Sequence, residues 1–295
     1  MQNSPYLIVG HSGQLATDLM RVGNAFDYDV VAVGRPQCDL TDPHSPHRLL
    51  ERVMPCAVIN AGAYTNVDLA ESDKELAFAV NASGAQTLAQ ACASHGIPLI
   101  HVSTDQVFDG TKQSAYCEDD EPNPLCIYGA SKWEGEKRVL EAHPNALIVR
   151  VSWVYGPSGN NFLTKVCEWA RKNKEISIIS DQTGCPTYSP DLASALLNMA
   201  KQMTREAHNA PRGLLHLAGA DVMSRFEQAQ MIMDASRKRG GVYAHIKPVL
   251  TRDFPTPAQR PLNATLNSTR ALAQYGVQLG GFEKGLEETL NMIMQ

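Results

Sequence analysis

Over the first 150 residues, short apolar runs alternate with longer amphipathic stretches, and this alternation leaves few folds open. The runs are Tyr6–Val9, Val30–Val33, Ala57–Asn60, Leu99–Ser103 and Leu147–Val151. They are rich in β-branched residues and lack a polar face, as expected of strands covered on both sides in a parallel sheet. Between them, Gln14–Val22, Pro46–Val53, Glu75–Ser94 and Tyr128–Ala142 carry helical patterns. Repeated β-α units of this kind predict an α/β fold, a doubly wound parallel sheet with Rossmann-like architecture. Ligands of that architecture sit at the carboxyl ends of the strands.

Beyond Val151 the pattern loosens. SWVYGPSGNNF reads as a loop, Phe162–Lys172 as a helix, Ile176–Ser180 as a short strand and Asp191–Gln202 as a helix. Leu214–Leu217 reads as a further strand of the main sheet. The tail from Ala218 to Gln295 holds two more helical patterns and the Pro-rich stretch Phe254–Pro261. Residues 1–152 with about 187–218 are therefore expected to form the sheet domain. Residues from about 153–186 and 219–295 are expected to form a smaller, discontinuous substrate lobe over the sheet's carboxyl edge.

Composition narrows the function. Charged residues are 19% of the 295, and the formal net charge is −5. Without a Lys/Arg run there is no electrostatic reason to expect nucleic acid or an anionic membrane. No stretch approaches the roughly 18 apolar residues that span a bilayer. The start, MQNSPYLIVG, lacks the basic-then-apolar layout of a signal peptide. Seven cysteines in irregular spacing, with no CxxC pair, read as reduced thiols of a cytoplasmic protein. Cys126 reads as small core filler.

The first run leads into Gly10-His11-Ser12-Gly13-Gln14-Leu15-Ala16. A strand, a glycine turn and a helix N-terminus present backbone N–H groups and a positive dipole end to a pyrophosphate. Gly10 permits the turn, Gly13 the close approach, and Ala16 tight helix–sheet packing. Small residues also close ordinary β-α turns, so the pattern alone is weak. At the end of the second run stands Arg35, where an NAD enzyme commonly carries a carboxylate and an NADP enzyme an arginine. NADPH is favoured over NADH on that ground; the bland reading of Arg35 is a solvated surface charge. Asp39 and Leu40 suit the adenine edge, and Asn60-Ala61-Gly62-Ala63 ends the third run with small residues that let a cofactor pass.

Tyr128-Gly129-Ala130-Ser131-Lys132 places a tyrosine and a lysine four residues apart, on one face of a predicted helix. A tyrosine of ordinary pKa is poorly matched to proton transfer near neutrality. A nearby ammonium favours phenolate and makes the phenol a usable acid. Lys132 also suits a nicotinamide ribose. With nine tyrosines in the chain the pattern arises readily by chance, as a surface helix pair. Ser103-Thr104 at the end of the fourth run adds hydroxyls expected in the same crevice.

These residues resemble the dTDP-4-dehydrorhamnose reductase family of extended short-chain dehydrogenases. The likeness runs through NAGAYTNVDLAES (60–72), HVSTDQVFDG (101–110), YGASKWEGEK (128–137), RVSWVYG to GNNF (150–162), DQTGCPT (181–187) and TPAQRPLNATLN (256–267). It implies NADPH-dependent reduction of a dTDP-4-keto-6-deoxy-L-hexose to dTDP-L-rhamnose, with a dTDP-linked keto sugar as partner. It also admits a homodimer. The first domain then binds NAD(P) and the lobe the sugar nucleotide. Carried over by position, Gly13, Gln14, Leu15, Asp39, Leu40, Ala63, Tyr64 and Thr65 contact cofactor, joining Gly10, Ser12, Arg35, Ala61 and Gly62. Tyr128 is the proton donor, supported by Thr104 and Lys132. Thr104, Asp105 and Trp153 touch the sugar, and Asn161 and Arg260 the nucleotide end. Core, turn and surface-charge roles stay open for Trp153, Asn161 and Arg260.

Two departures matter. Gln106 stands where the family often has tyrosine. Some members bind Mg²⁺ through glutamates at a dimer contact, whereas the matching Asp18, Pro190 and Met292 supply one oxygen ligand, so no metal is expected. Asp18 reads as a solvated surface acid. Sugar-nucleotide dehydratases need a carboxylic acid after the Thr-Asp pair, and Gln106 cannot do that work. Arg35 argues against an epimerase that recycles tightly held NAD. A non-catalytic regulatory subunit, like the methionine adenosyltransferase beta subunit, has no need of Thr104, Tyr128, Lys132 and Arg260 together. A 4-ketoreductase giving another nucleotide-linked deoxysugar stays open.

Overall fold

The computed structural model describes residues 4–206 and 209–294, so Met1–Asn3 of the N-terminal stretch and Gln295 of the tail lie outside the described residues. The chain runs β1 (Tyr6–Val9), α1 (Gln14–Ala25), β2 (Val30–Val33), α2 (Ser45–Val53), β3 (Ala57–Asn60), α3 (Lys74–Phe78), α4 (Ala85–Ser94), β4 (Leu99–Thr104), α5 (Ile127–Ala142) and β5 (Leu147–Val151). Then come α6 (Phe162–Lys172), α7 (Ser189–Arg205), the strand Gly213–His216, α8 (Arg225–Lys238), α9 (Thr269–Tyr275) and α10 (Phe282–Ile293).

Six strands form one parallel sheet in the order Gly213–His216, β5, β4, β3, β1, β2. β1 thus lies between β2 and β3, and the winding reverses between β1 and β3. This is the flavodoxin-like order of the doubly wound class, and its switch point opens a crevice at the carboxyl ends. Both faces are covered. Leu19, Val22, Leu192, Leu196 and Met199 from α1 and α7 pack one side. Leu49, Leu88, Ala89, Cys92 and Val139 from α2, α4 and α5 pack the other.

The expected helix over Glu75–Ser94 is broken. A π turn at Ala79–Gly84 separates α3 from α4, and a Cβ on Gly84 would stand 2.7 Å from Leu40 Cβ. The stretch read as a loop after Val151 contains a two-residue strand, Val154–Tyr155, paired with Thr187–Tyr188. Among the described residues the tail holds three α-helices, where two helical patterns were expected. Away from the sheet, α6, α8 and α10 share a separate core with the paired strands Glu175–Ile179 and His245–Val249. Reciprocal caps start α6 (Asn161 with Thr164) and α8 (Ser224 with Glu227). Among the described residues no helix is long and apolar enough to cross a membrane, and all seven cysteines are free thiols.

Candidate active site

The glycine loop sits at the switch point. Gly10 has φ +116°, and a Cβ there would lie 3.2 Å from Gly62 N and Ala61 C, so the β1 and β3 ends meet through glycine. Gly13 is the N-cap of α1 and supplies no side-chain cap. A Cβ on it would meet nothing within 4 Å. The first-turn amides are thus uncapped, with Ser12 exposed and Gln14 and Leu15 half-buried, an arrangement that fits a phosphate group. Gly34 abuts His11, its built Cβ 2.9 Å from His11 Cβ, which brings the β2 end beside the loop. Arg35 follows, exposed. Asp39 accepts from Thr41 N–H (2.9 Å) and hydroxyl (2.8 Å), and these bonds hold its carboxyl below the usual range. Leu40 packs under Gly62 and Gly84.

Asn81, on the π turn, joins the 60–65 loop to α5. It accepts from Tyr64 N–H (2.8 Å) and donates to Tyr64 C=O (3.1 Å) and Ser131 Oγ (2.9 Å). Ala63 and Tyr64 are half-buried and Thr65 is exposed. The start of α5 is seated closely, since the Gly129 backbone packs on the Gln106 carbonyl and Gly135 on that of Asn81. Cys126 is not mere filler: its sulfur is the N-cap, accepting from Gly129 N–H at 3.4 Å.

Thr104 ends β4. Its hydroxyl donates to Asp105 Oδ1 (2.9 Å) and lies beside the Tyr128 phenol. Burial pushes the Tyr128 phenol above its ordinary pKa; the Thr104 contact opposes this, and Asp105 and Cys126 add to it. The expected lowering by Lys132 is not among these effects, so in the chain alone burial prevails. Lys132 is 2% exposed. Its Nζ donates to Val102 C=O at 2.8 Å, and burial brings its pKa down to about 8, against the pull of Glu136. Ser103 corrects the sequence reading. Successive strand residues point to opposite faces, and its hydroxyl donates to Glu136, in the buried pair of Glu136 with Arg150.

Next to this group lies a cavity of about 390 Å³ between sheet and lobe. Asp105, Trp153, Asn161 and Arg260 line it, together with Arg225 and Lys165. Asp105 is buried, accepts from Ser152 Oγ at 2.8 Å, and is pushed up to about 6 by burial. Trp153 has φ +45°, with the Arg225 guanidinium 3.4 Å over its ring. Asn161 spends its side chain on the α6 cap and on Gly156 C=O (2.8 Å) while lining the cavity. Arg260 pairs with Asp68 at 2.9 Å, joining the tail to the segment after β3. Sequence reasoning missed Arg225 and Lys165. No local pattern singles out either residue.

Asp18 is not a solvated acid. It is fully buried, 3.3 Å from Arg21 and accepting from Ser158 Oγ at 3.1 Å. Arg21 Nη1 also reaches Met292 Sδ at 3.4 Å. Pro190 brings no side-chain donor, so these residues do not fit a Mg²⁺ ion.

The profile of the family described as "RmlD substrate binding domain" matches residues 5–294. The chain is similar to dTDP-4-dehydrorhamnose reductase of Sinorhizobium fredii, 36% identical over 94% of this chain and 93% of the relative. It is 40% identical to the protein of that name from Mycobacterium tuberculosis, over 89% and 84% of the two chains. A crystal structure of dTDP-4-dehydrorhamnose reductase from Bacillus anthracis in complex with NADP superposes with a TM-score of 0.89 at 32% identity. That superposition covers 98% of this chain and 99% of the other.

Proposed function

The chain belongs to the dTDP-4-dehydrorhamnose reductase family and is an NAD(P)H-dependent oxidoreductase; on that premise we propose that it reduces the 4-keto group of a dTDP-4-keto-6-deoxy-L-hexose to give dTDP-L-rhamnose. The observation that carries this reading is Thr104 beside Tyr128, with Lys132 one turn on along α5, near an uncapped glycine-loop helix and a cavity bearing Lys165, Arg225 and Arg260.

NADPH, when bound, supplies the hydride. The residues proposed to hold it are Gly10, Ser12, Gly13, Gln14 and Leu15 at the phosphates, Arg35, Asp39 and Leu40 at the adenosine end, and Ala61–Thr65 with Lys132 along the ribose side. Tyr128 is the proposed acid. Burial keeps the proton on its oxygen at neutral pH but weakens the phenol as an acid, and a charged Lys132 one turn on is the group proposed to strengthen it. Thr104 orients the phenol, and Asp105 and Trp153 bound the sugar. Asn161 and Arg260 face the nucleotide end, with Arg260 steadied by Asp68. Residues 1–152 with about 187–218 are proposed as the cofactor domain, and about 153–186 with 219–295 as the substrate lobe. Gln106 gives the site an amide where an eliminating dehydratase requires an acid.

The test is NADPH oxidation with the dTDP-keto sugar, followed by identification of the product. Turnover to the rhamno product supports the reading. No oxidation, or a talo product, would refute it as stated.

A further inference from the structure

Behind Lys132 the sheet is polar where a doubly covered parallel sheet is ordinarily apolar. Asn60 closes β3, and His101 is its register partner on β4; each is 1% exposed. Gly62 N–H donates to Asn60 Oδ1 at 3.1 Å. That bond fixes the amide, oxygen toward the loop and NH₂ toward His101 Nδ1, 2.9 Å away. Two N–H groups cannot face each other in a hydrogen bond, so Nδ1 accepts and the ring proton sits on Nε2. Nε2 in turn lies 3.3 Å from Lys132 Nζ. An N–H aimed at Nζ is met by the lone pair of an amine and repelled by an ammonium.

The charges around this contact do not reverse it. Glu136, one turn beyond Lys132 on α5, is the acid acting on the lysine, and it is already engaged by Arg150 and Ser103. Lys132 is the charged group acting on His101. Tyr128 lies one turn before, neutral.

We propose that His101 is a positioning residue: with Asn60 it disfavours the ammonium form of Lys132 in the free protein and couples proton uptake there to the seating of Gly62. Its consequence for turnover rests on the reductase reading above. When the site takes up a proton, the one on Nε2 passes to Nζ and one from solvent arrives at Nδ1. Asn60 must then turn its oxygen to accept from Nδ1, and Gly62 N–H loses its partner. Gly62 borders Gly10 of the glycine loop, so the charge on Lys132 and the floor of the proposed cofactor site change together.

Nuclear magnetic resonance on the full chain tests this, reading the His101 ring nitrogens, Lys132 Cε and the Gly62 amide against pH. The parent is expected to show the Nε2–H tautomer above the Lys132 midpoint, with Gly62 sharing that midpoint. His101→Leu removes the N–H donor and raises the Lys132 midpoint by about one pH unit. Asn60→Ala frees the ring and raises it likewise, which keeps the test open should the leucine variant not fold. An Nδ1–H tautomer above the Lys132 midpoint, or a Lys132 midpoint that stays or falls in the folded variants, overturns the proposal. In the reductase assay, the pH profile of kcat/KM is expected to move with the Lys132 midpoint. A fixed profile over a moving midpoint overturns the part of His101 in turnover. A parent that oxidises no NADPH overturns the proposed reaction and leaves the titration result standing.

Discussion

Adding one methyl group at Gly129 is expected to disable the enzyme without touching a reacting atom. A Cβ at this position would overlap the Gln106 carbonyl oxygen and lie 3.0 Å from Gln106 C and 3.1 Å from Pro124 Cβ, where ordinary contact begins at 3.4 Å. The closest obstructing atoms are the Gln106 backbone, in the single 3₁₀ turn Asp105–Val107 that directly follows Thr104. They cannot yield without moving Thr104. The start of α5 must therefore retreat by about 1 Å, carrying Tyr128 away from its Thr104 contact. A misplacement of about 1 Å costs about 100-fold in turnover, and overpacking of this kind costs about 1–3 kcal/mol in stability. Steady-state reduction of the dTDP-keto sugar and thermal melting of Gly129→Ala measure both effects. NADPH affinity is expected to stay close to the parent's, since the glycine loop is not involved. Parental turnover and melting temperature in this variant would show that the close seat does not position Tyr128.

Tyr128→Phe is expected to lower kcat by about 10²–10⁴-fold while NADPH binding, followed by fluorescence, is nearly kept; near-parental turnover would remove Tyr128 as the acid. Arg35→Ala should erode the preference for NADPH over NADH by about 1–2 kcal/mol in kcat/KM, and a parent with equal kcat/KM for both would leave Arg35 merely solvated. Asp105 has a folded pKa of about 6, raised by burial above its unfolded value, so the folded state binds the extra proton between about pH 4 and 6. Its contribution to stability therefore falls as pH rises through that window, by about 3 kcal/mol at most. Urea unfolding of the parent and Asp105→Asn at several pH values checks this, and identical slopes would contradict it. EDTA is expected to leave activity and melting temperature unchanged, because Arg21 already balances Asp18; loss on EDTA and recovery with Mg²⁺ would overturn that.

The parallel strands were readable because each is a short apolar run set between helical patterns, and β1, β2, β3 and β5 begin and end where the pattern does. Periodicity could not show the π turn at Ala79–Gly84. Its cause is tertiary: Asn81 bonds to Tyr64 and Ser131, and Gly84 fits against Leu40. Thr104, Tyr128 and Lys132 were legible through local rules, a strand end and a four-residue helix spacing. The direction of Ser103 was available from strand alternation, which forbids adjacent hydroxyls from sharing a crevice. Arg225 over Trp153 was beyond reach, since no spacing in sequence links residues brought together by a lobe built from separate segments. The burial of Asp18 was hidden for a like reason, its partner Ser158 lying far along the chain.

The edge of the main sheet is closed late. Gly213–His216 pairs with β5 only after the chain has left the sheet to build α6 and α7. His216 N–H then donates to Glu118 Oε1 at 2.9 Å, and its ring stands 3.5 Å from Arg150. For a chain emerging from a ribosome, everything up to Val151 is delivered while β5 still presents a bare row of backbone donors and acceptors, a template for another chain to add to. A product that stops there would carry the whole glycine loop and the tyrosine–lysine pair, yet would be a sticky intermediate, not a small cofactor-binding protein. Biosynthesis of this molecule must therefore tolerate an unfinished sheet until the edge strand arrives.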